Sequence, residues 1–139
     1  MAGTSELLRG LRALVIGGGG AGIGAAISEG IAAAGADVAI VDVTDERTKA
    51  AADTAGRHGR KAVPVVADIR DPADVQRLVA EAREALGGID VLVTVVGGVM
   101  AFGVPFNRLH EVADDDWDLV FDMNLKYVVK TKRLNQPEE

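Results

Sequence analysis

Short runs rich in β-branched residues alternate with longer stretches of helical periodicity, and this alternation restricts the possible folds most. The runs lie at residues 13–16, 37–41, 62–66 and 91–96. A strand, a helix and a second strand in succession are typical of a βαβ unit, whose two strands are parallel and whose crossover is right-handed. The sequence therefore predicts an α/β fold with a parallel sheet of about four strands and flanking helices.

Capping and turn residues set the ends of the predicted helices. Gly35 and Gly59 stop the first two helices, and the third runs from an Asp71 cap and Pro72 in its first turn to Gly87. The other predicted ranges are 22–34 for the first helix, 45–57 for the second, and Asp114 or Asp115 to about Leu134 for the last. We expect one domain over residues 11–134, an N-terminal extension at 1–10 and a polar tail at 135–139.

The composition argues against several classes of partner. There are 21 acidic and 15 basic side chains, and the net charge of −6 would repel a nucleic acid. With no Cys, and with His58 and His110 far apart, no metal site is expected and a reducing cytoplasm suits the chain. The uncharged run 91–106 is broken by glycines and is shorter than the roughly 20 residues of a membrane helix, so no membrane is expected as a partner.

The most informative segment follows the first strand directly. Residues 17–24 read Gly-Gly-Gly-Gly-Ala-Gly-Ile-Gly and lead into the first predicted helix. Glycines allow a tight turn and let backbone N–H groups approach a pyrophosphate at a helix N-terminus. The spacing Gly-x-x-x-Gly-x-Gly fits in one register, at Gly18, Gly22 and Gly24, and no Lys follows, which excludes a Walker-type loop. A dinucleotide site is predicted, with a plain strand-to-helix turn as the alternative.

Asp42 ends the second predicted strand, 18 residues after Gly24. A carboxylate at this place can accept hydrogen bonds from an adenosine ribose and would repel a 2′-phosphate. NAD is therefore favoured over NADP, although Arg47 nearby keeps NADP open. An ordinary solvated acid at a strand end is the alternative role for Asp42.

The spacing of Gly18, Gly22 and Gly24, followed by Asp42 and by Asp68 after the third strand, resembles the short-chain dehydrogenase/reductase family. Residues 11 to about 132 follow the layout of its nucleotide-binding portion. The resemblance implies a Rossmann-like doubly wound parallel sheet, here incomplete, that binds NAD(H). It implies that Asp68 and Ile69 border the adenine ring, although a capping acid beside Asp71 is the alternative for Asp68. The cofactor residues it assigns are Gly18, Gly22, Ile23, Gly24, Asp42, Asp68, Ile69 and Gly97.

Two positions depart from the family pattern. Gly17 stands where the family has Thr, and residues 94–97, Thr-Val-Val-Gly, stand where it has Asn-Asn-Ala-Gly. In the family the Asn side chains tie neighbouring strands together, while Gly97 can still bring the backbone close to a ribose. We expect a looser or differently bonded corner after the fourth strand.

Asn124, in the sequence Asp-Met-Asn-Leu, matches the Asn on a helix that in this family holds a backbone kink and a water of the proton relay. A supporting catalytic role and the role of a satisfied core amide are both open. At helical spacing Asn124 shares a stripe with apolar residues, so we expect it to be buried among them. These residues are Trp117, Val120, Phe121 and Val128.

The catalytic Ser and the Tyr-x-x-x-Lys of the family have no counterpart in these residues. The only Tyr, Tyr127, is followed four residues later by Thr131, and we expect it to be a packing residue. The resemblance implies an oxidoreductase that acts on an alcohol or carbonyl, here as a truncated chain without turnover of its own. A non-catalytic nucleotide-binding or regulatory protein is the alternative. A methyltransferase ranks last, because no acid precedes the glycines in Leu14-Val15-Ile16.

The last helix carries a second apolar set, so two of its faces require cover. The fourth strand would also be an open edge, and in the family a helix at this place helps to form the subunit interface. We therefore expect self-association or marginal stability, with a homo-oligomer that has Met123 at its contact as the ordered outcome and aggregation as the disordered one. The second set is Leu119, Met123, Tyr127 and Leu134.

Overall fold

Four parallel strands form one sheet in the computed structural model of the protein, which describes residues 6–98, 103 and 108–136. Each neighbouring pair is parallel. The predicted α/β class, with a Rossmann-like sheet of four strands, is confirmed. The strands are β1 (Arg12–Ile16), β2 (Asp37–Asp42), β3 (Ala62–Val66) and β4 (Val91–Thr94), in the order β3-β2-β1-β4.

The first three helices begin and end close to the predicted residues, and in the third the capping residues act as expected. The Asp71 side chain accepts a hydrogen bond from the N–H of Ala73, and Gly87 ends the third helix with a left-handed φ of 78°. The first three helices are α1 (Ile23–Ala33), α2 (Asp45–Gly56) and α3 (Pro72–Leu86). A short 3-10 turn, Leu109–Glu111, precedes the last helical segment.

Helices cover both faces of the sheet. Alternate residues of β1 point to opposite sides, so Ala13 and Val15 pack with the residues of α1 and α2, and Leu14 and Ile16 pack with α3 and the last helix. These four of the five β1 residues are fully buried. This burial on both faces explains why the interior residues of β1 and β2 form continuous apolar runs rather than alternating with polar residues.

The last helix differs from the prediction because it contains a wider turn. It consists of α4 (Asp114–Phe121), a π turn over Asp122–Lys126, and α5 (Tyr127–Leu134). The π turn changes which side chains face the core, and Met123, Tyr127 and Thr131 are the buried ones. The predicted burial of Asn124 was therefore wrong, since Asn124 and Phe121 are exposed.

Two edges of the sheet matter below. The carboxyl edge comprises the residues that end the strands, Ile16, Asp42, Val66 and Thr94, and those that follow them. The amino edge comprises the residues that begin the strands and those that precede them. The strand order reverses between β1 and β4, which opens a crevice at the carboxyl edge, where parallel α/β sheets bind their ligands.

Some expectations concern residues 1–5, 99–102, 104–107 and 137–139, which lie outside the described residues. They include parts of the N-terminal extension, of the uncharged run and of the polar tail. No helix in the described ranges has both the length and the apolar character needed to cross a bilayer.

Candidate functional site

A cleft of about 410 Å³ opens at the carboxyl edge. Residues that end or follow all four strands form its walls, and Met123 adds an apolar side chain from the π turn. Four residues predicted for the cofactor line it together, namely Asp42, Asp68, Ile69 and Gly97.

The glycine loop borders the cleft through Gly17, and two of its motif glycines lie buried beneath it. A Cβ on Gly24 would lie 1.8 Å from the carbonyl oxygen of Gly17, so only glycine lets α1 begin this close to the loop. A Cβ on Gly18 would lie 2.6 Å from the Ser28 hydroxyl oxygen, which donates a hydrogen bond to the Gly18 carbonyl. These two glycines therefore have a structural reason to be glycine.

Gly22 differs from the other two motif glycines. A Cβ added there would meet nothing within 4 Å, and the residue has an ordinary extended φ of −104°. Gly22 is the N-cap residue of α1 and has no side chain that could accept a hydrogen bond from the helix. The first turn of α1 also contains no acidic residue. The first N–H groups of the helix are therefore without a side-chain acceptor and favour an anion at this end. Ile23 begins the helix with an exposed side chain.

Asp42 is held at the end of β2 with its side chain largely covered. Its Oδ1 accepts a hydrogen bond from the N–H of Val43 at 2.9 Å and lies 3.1 Å from Nη1 of Arg47. Its other oxygen lies against the glycine loop, since a Cβ on Gly19 would approach Oδ2 to 2.9 Å. The carboxylate is positioned beside the loop, and its partner Arg47 was not predicted as such from the sequence.

Asp68 forms the neighbouring wall of the cleft and makes a bidentate ion pair with Arg70. Arg70 Nε lies 2.9 Å from both carboxylate oxygens. Its guanidinium holds the pKa of Asp68 below the ordinary value, mainly through these hydrogen bonds. The Asp68 carboxylate bonds to the backbone and side chain of Arg70, and it is Asp71 that caps α3.

Two side chains of the last helix bond to the backbone of the corner that follows β4. The Tyr127 hydroxyl donates to the Val96 carbonyl at 2.7 Å. Asn124 accepts from the Gly98 N–H at 2.7 Å and donates to the Gly98 carbonyl at 2.9 Å. Two side chains of the last helix thus fix the backbone that leaves β4.

Asn124 also explains two local features. Its amide donates to the Val120 carbonyl at 2.8 Å, next to the π turn. A Cβ on Gly97 would lie 2.5 Å from its Oδ1, so glycine permits the close approach of helix and loop.

Burial raises the pKa of Tyr127, partly offset by a hydrogen bond with Thr94, so its hydroxyl keeps its proton and donates.

Other predicted residues lie around the cleft rather than in its lining. Gly18, Gly22, Ile23, Gly24 and Asn124 do not line it. Gly18 and Gly24 support the loop from beneath, and Asn124 holds the corner after β4. Among the described residues, no three acidic or His side chains lie close enough together to hold a metal ion.

Comparison with known proteins places this geometry in context. A family model described as short chain dehydrogenase matches residues 12–138. Oxidoreductase UcpA of Escherichia coli (strain K12) is 37% identical over 117 residues, which are 84% of this chain and 42% of that protein. The 2,3-dihydro-2,3-dihydroxybenzoate dehydrogenase of Bacillus subtilis (strain 168) is 32% identical over 112 residues, 81% of this chain and 41% of that protein.

Solved structures give the same result for the fold. A short chain dehydrogenase from Mycobacterium smegmatis matches with a TM-score of 0.80 and 29% identity, over 92% of this chain and 51% of that one. NADH-dependent reductase A1-R', solved in complex with NAD, matches with a TM-score of 0.78 and 29% identity, over 92% and 51%. The chain spans about two fifths of these curated relatives and about half of these solved chains.

Proposed function

Because the chain belongs to the short-chain dehydrogenase/reductase family, we propose that it binds NAD(H) at the carboxyl edge. It would do so as the nucleotide-binding portion of an oxidoreductase that acts on a small alcohol or carbonyl compound. The observation that carries the proposal is the uncapped N-terminus of α1, with open space at Gly22, beside the Asp42 carboxylate.

The residues of the carboxyl edge suit the parts of a dinucleotide. The first turn of α1 offers N–H groups and a positive dipole end to the pyrophosphate. Asp42 offers carboxylate oxygens to the adenosine ribose, which favours NAD over NADP. Ile69 and the stem of Arg70 offer apolar surface next to Asp68 for the adenine ring. Bound NAD(H) supplies the hydride-accepting or hydride-donating nicotinamide.

The other end of the cleft would hold the nicotinamide half in place. Gly97 and Gly98 lie where β4 ends, and Asn124 and Tyr127 fix this backbone from the last helix. We propose that Asn124 acts as a positioning residue there. We assign no acid or base for proton transfer. The only Tyr of the sequence, Tyr127, is buried, and its hydroxyl donates to the Val96 carbonyl.

The relatives favour an oxidoreductase over a non-catalytic regulator, since the two named above are an oxidoreductase and a dehydrogenase. A cytoplasmic location remains a prediction from the sequence.

The proposal is tested by measuring NAD⁺ and NADP⁺ affinity by calorimetry for three chains. The wild-type chain should bind NAD⁺ more tightly than NADP⁺. Gly22→Asp should abolish binding without unfolding the chain, since Asp is a favourable N-cap but repels a pyrophosphate. Gly30→Asp is the matched control, because Gly30 lies on the same helix, exposed, with nothing within 4 Å of an added Cβ.

A wild-type chain that bound neither cofactor would contradict the proposal. So would equal loss of binding in Gly22→Asp and Gly30→Asp, since that result would point to the helix rather than to its N-terminus. Tighter binding of NADP⁺ than NAD⁺ would remove the role given to Asp42.

We further propose that two copies associate through the last helix, on a different face from the one predicted. Met123 is buried in the chain's own core, so it cannot form the contact. Three apolar side chains at intervals of four residues are exposed instead, Phe121 at 56%, Leu125 at 53% and Val129 at 40%. Acidic residues dominate before Phe121 and basic residues after it, so two antiparallel copies would bring opposite charges together.

Light scattering at micromolar concentration tests this association. The wild-type chain should form a dimer, and Leu125→Glu should yield a monomer because it buries a carboxylate at the contact. Ala50→Glu, at an exposed position of α2, should leave the dimer intact. A monomeric wild-type chain, or a dimer that survives Leu125→Glu, would contradict this proposal.

A further inference from the structure

The hydroxyl of Ser28 bonds differently from two other buried hydroxyl groups of the helices. The Ser28 side chain is fully buried in α1, as are those of Thr48 in α2 and Thr131 in α5. The two Thr hydroxyls donate to carbonyl groups of their own helices, as hydroxyls inside helices commonly do. The Ser28 hydroxyl instead donates at 3.1 Å to the carbonyl of Gly18, ten residues earlier and outside the helix. Ser28 therefore joins α1 to the glycine loop.

Hydrogen bonds on two sides hold Gly18 in place. Its N–H donates to the Val41 carbonyl in β2 at 3.0 Å, and its carbonyl accepts from Ser28. The N–H of Gly17 donates to the same Val41 carbonyl at 2.8 Å. The start of the glycine loop is thus fixed between β2 and the buried side of α1 by bonds within the chain.

The direction of the Gly18 carbonyl decides what the peptide group between Gly18 and Gly19 presents on its other side. In a planar trans peptide the carbonyl and the N–H that follows it point in opposite directions. Because the Gly18 carbonyl is directed at the Ser28 hydroxyl, the Gly19 N–H points away from Ser28. Neither glycine has a Cβ that would resist rotation of this peptide group. If it turned over, a carbonyl oxygen would replace the N–H on the outer side of the loop and would repel an anion there.

We propose that Ser28 is a positioning residue of the nucleotide site, which keeps the Gly18 carbonyl turned inward so that the loop presents N–H groups to the pyrophosphate. This inference rests on the proposed NAD(H) site. The role requires the hydroxyl, because an Ala at position 28 would fit the same buried space but could not donate. The Gly18 carbonyl would then lack its donor in the interior, and turning outward would relieve the cost of an unsatisfied buried acceptor.

Two variants of the full chain test this role, Ser28→Ala and Thr131→Val. Each removes one buried hydroxyl and leaves a side chain that a helix accommodates, and thermal melting checks that both variants fold. Thr131→Val is the matched control, because the Thr131 hydroxyl bonds within α5. Calorimetry measures the dissociation constant of NAD⁺. NMR of the chain without cofactor measures the couplings between the Gly19 amide proton and its α protons, which report the φ angle that a turned peptide group would change.

Ser28→Ala should weaken NAD⁺ binding about fivefold to tenfold, the effect of losing one neutral hydrogen bond, and should change the Gly19 couplings. Thr131→Val should leave both the affinity and the couplings as in the wild type. Unchanged affinity or unchanged couplings in Ser28→Ala, or an equal loss of affinity in both variants, would overturn the inference. A wild-type chain that bound no NAD⁺ would show that the proposed nucleotide site is wrong, and the Gly19 couplings would then decide alone whether Ser28 holds the loop.

Discussion

Both the amino edge and the carboxyl edge of the sheet contain pairs of acidic and basic residues, but the pairs have different roles. At the amino edge, Arg12 makes two side-chain bonds of 2.8 Å to Asp90, and its Nη1 reaches the Gly87 carbonyl. Arg60 lies 2.8 Å from Asp37, which also accepts the Lys61 N–H. These bonds join the starts of β1 and β4 and those of β2 and β3, so their acids and cations hold strand register.

At the carboxyl edge the corresponding acids end or follow their strands, and their cations come from a loop or a helix start. Arg47 and Arg70 are more exposed than the acids they pair with, and both line a cleft. A partner on an exposed stem can be exchanged for a ligand, whereas a partner fixed between strands cannot. An ion pair alone therefore does not identify a site, and the origin and exposure of its cation are the better guide.

The largest effect on stability is expected in the glycine loop, because the close contact of Gly24 with the Gly17 carbonyl at the carboxyl edge is structural. Gly24→Ser should cost at least about 3 kcal/mol of unfolding free energy, because its Cβ would lie 1.8 Å from the Gly17 carbonyl oxygen. Gly22→Ser should cost nothing, because its side chain enters open space and Ser is a favourable N-cap. Urea denaturation measures the unfolding free energy of both variants. Equal midpoints would refute the distinction between a structural Gly24 and a Gly22 that tolerates a side chain.

A smaller effect is expected at the amino edge and depends on pH. Hydrogen bonds from Arg12 lower the pKa of Asp90 from 3.8 to about 2. Because the pKa is lower in the folded chain, the pair stabilises the fold above pH 4 and loses this contribution as the pH falls toward 2. Asp90→Asn should lower the melting temperature at pH 7 and flatten its decline between pH 4 and 2.

Asp53→Asn, on the exposed side of α2, is the control for this measurement. It removes an exposed carboxylate that makes no ion pair with another described residue, so its melting curve should follow that of the wild type at each pH. If Asp90→Asn and the wild type declined in parallel between pH 4 and 2, the amino-edge pair would not hold the strands as described.

Local patterns in the sequence predicted most of the fold. The strands and the first three helices begin and end within about two residues of the predicted positions, because Asp71, Pro72 and Gly87 act on the turns next to them. The glycine spacing and Asp42 likewise pointed to the carboxyl edge of the sheet, which is where the cleft opens. These features depend on neighbours that are close along the chain.

What the sequence did not predict depends on contacts between distant residues. The π turn is accompanied by bonds from Asn124 to Gly98, 26 residues away, so uniform helical spacing gave the wrong buried face. Arg12 and Asp90 are 78 residues apart, and nothing local pairs them. The Arg47 and Asp42 pair is close in sequence, but its geometry depends on how α2 packs over the glycine loop.

The most direct test of the account is an NMR titration of the isotope-labelled chain with NAD⁺, which reports on each backbone amide. We expect the amides whose signals shift to lie at the carboxyl edge, in residues 17–24, 42–47, 68–70 and 96–98. The amides of the amino edge, residues 10–12, 59–61 and 87–90, should not shift. Shifts that cluster at the amino edge, or that spread evenly over both edges, would contradict the central claim that one edge holds the sheet and the other binds the cofactor.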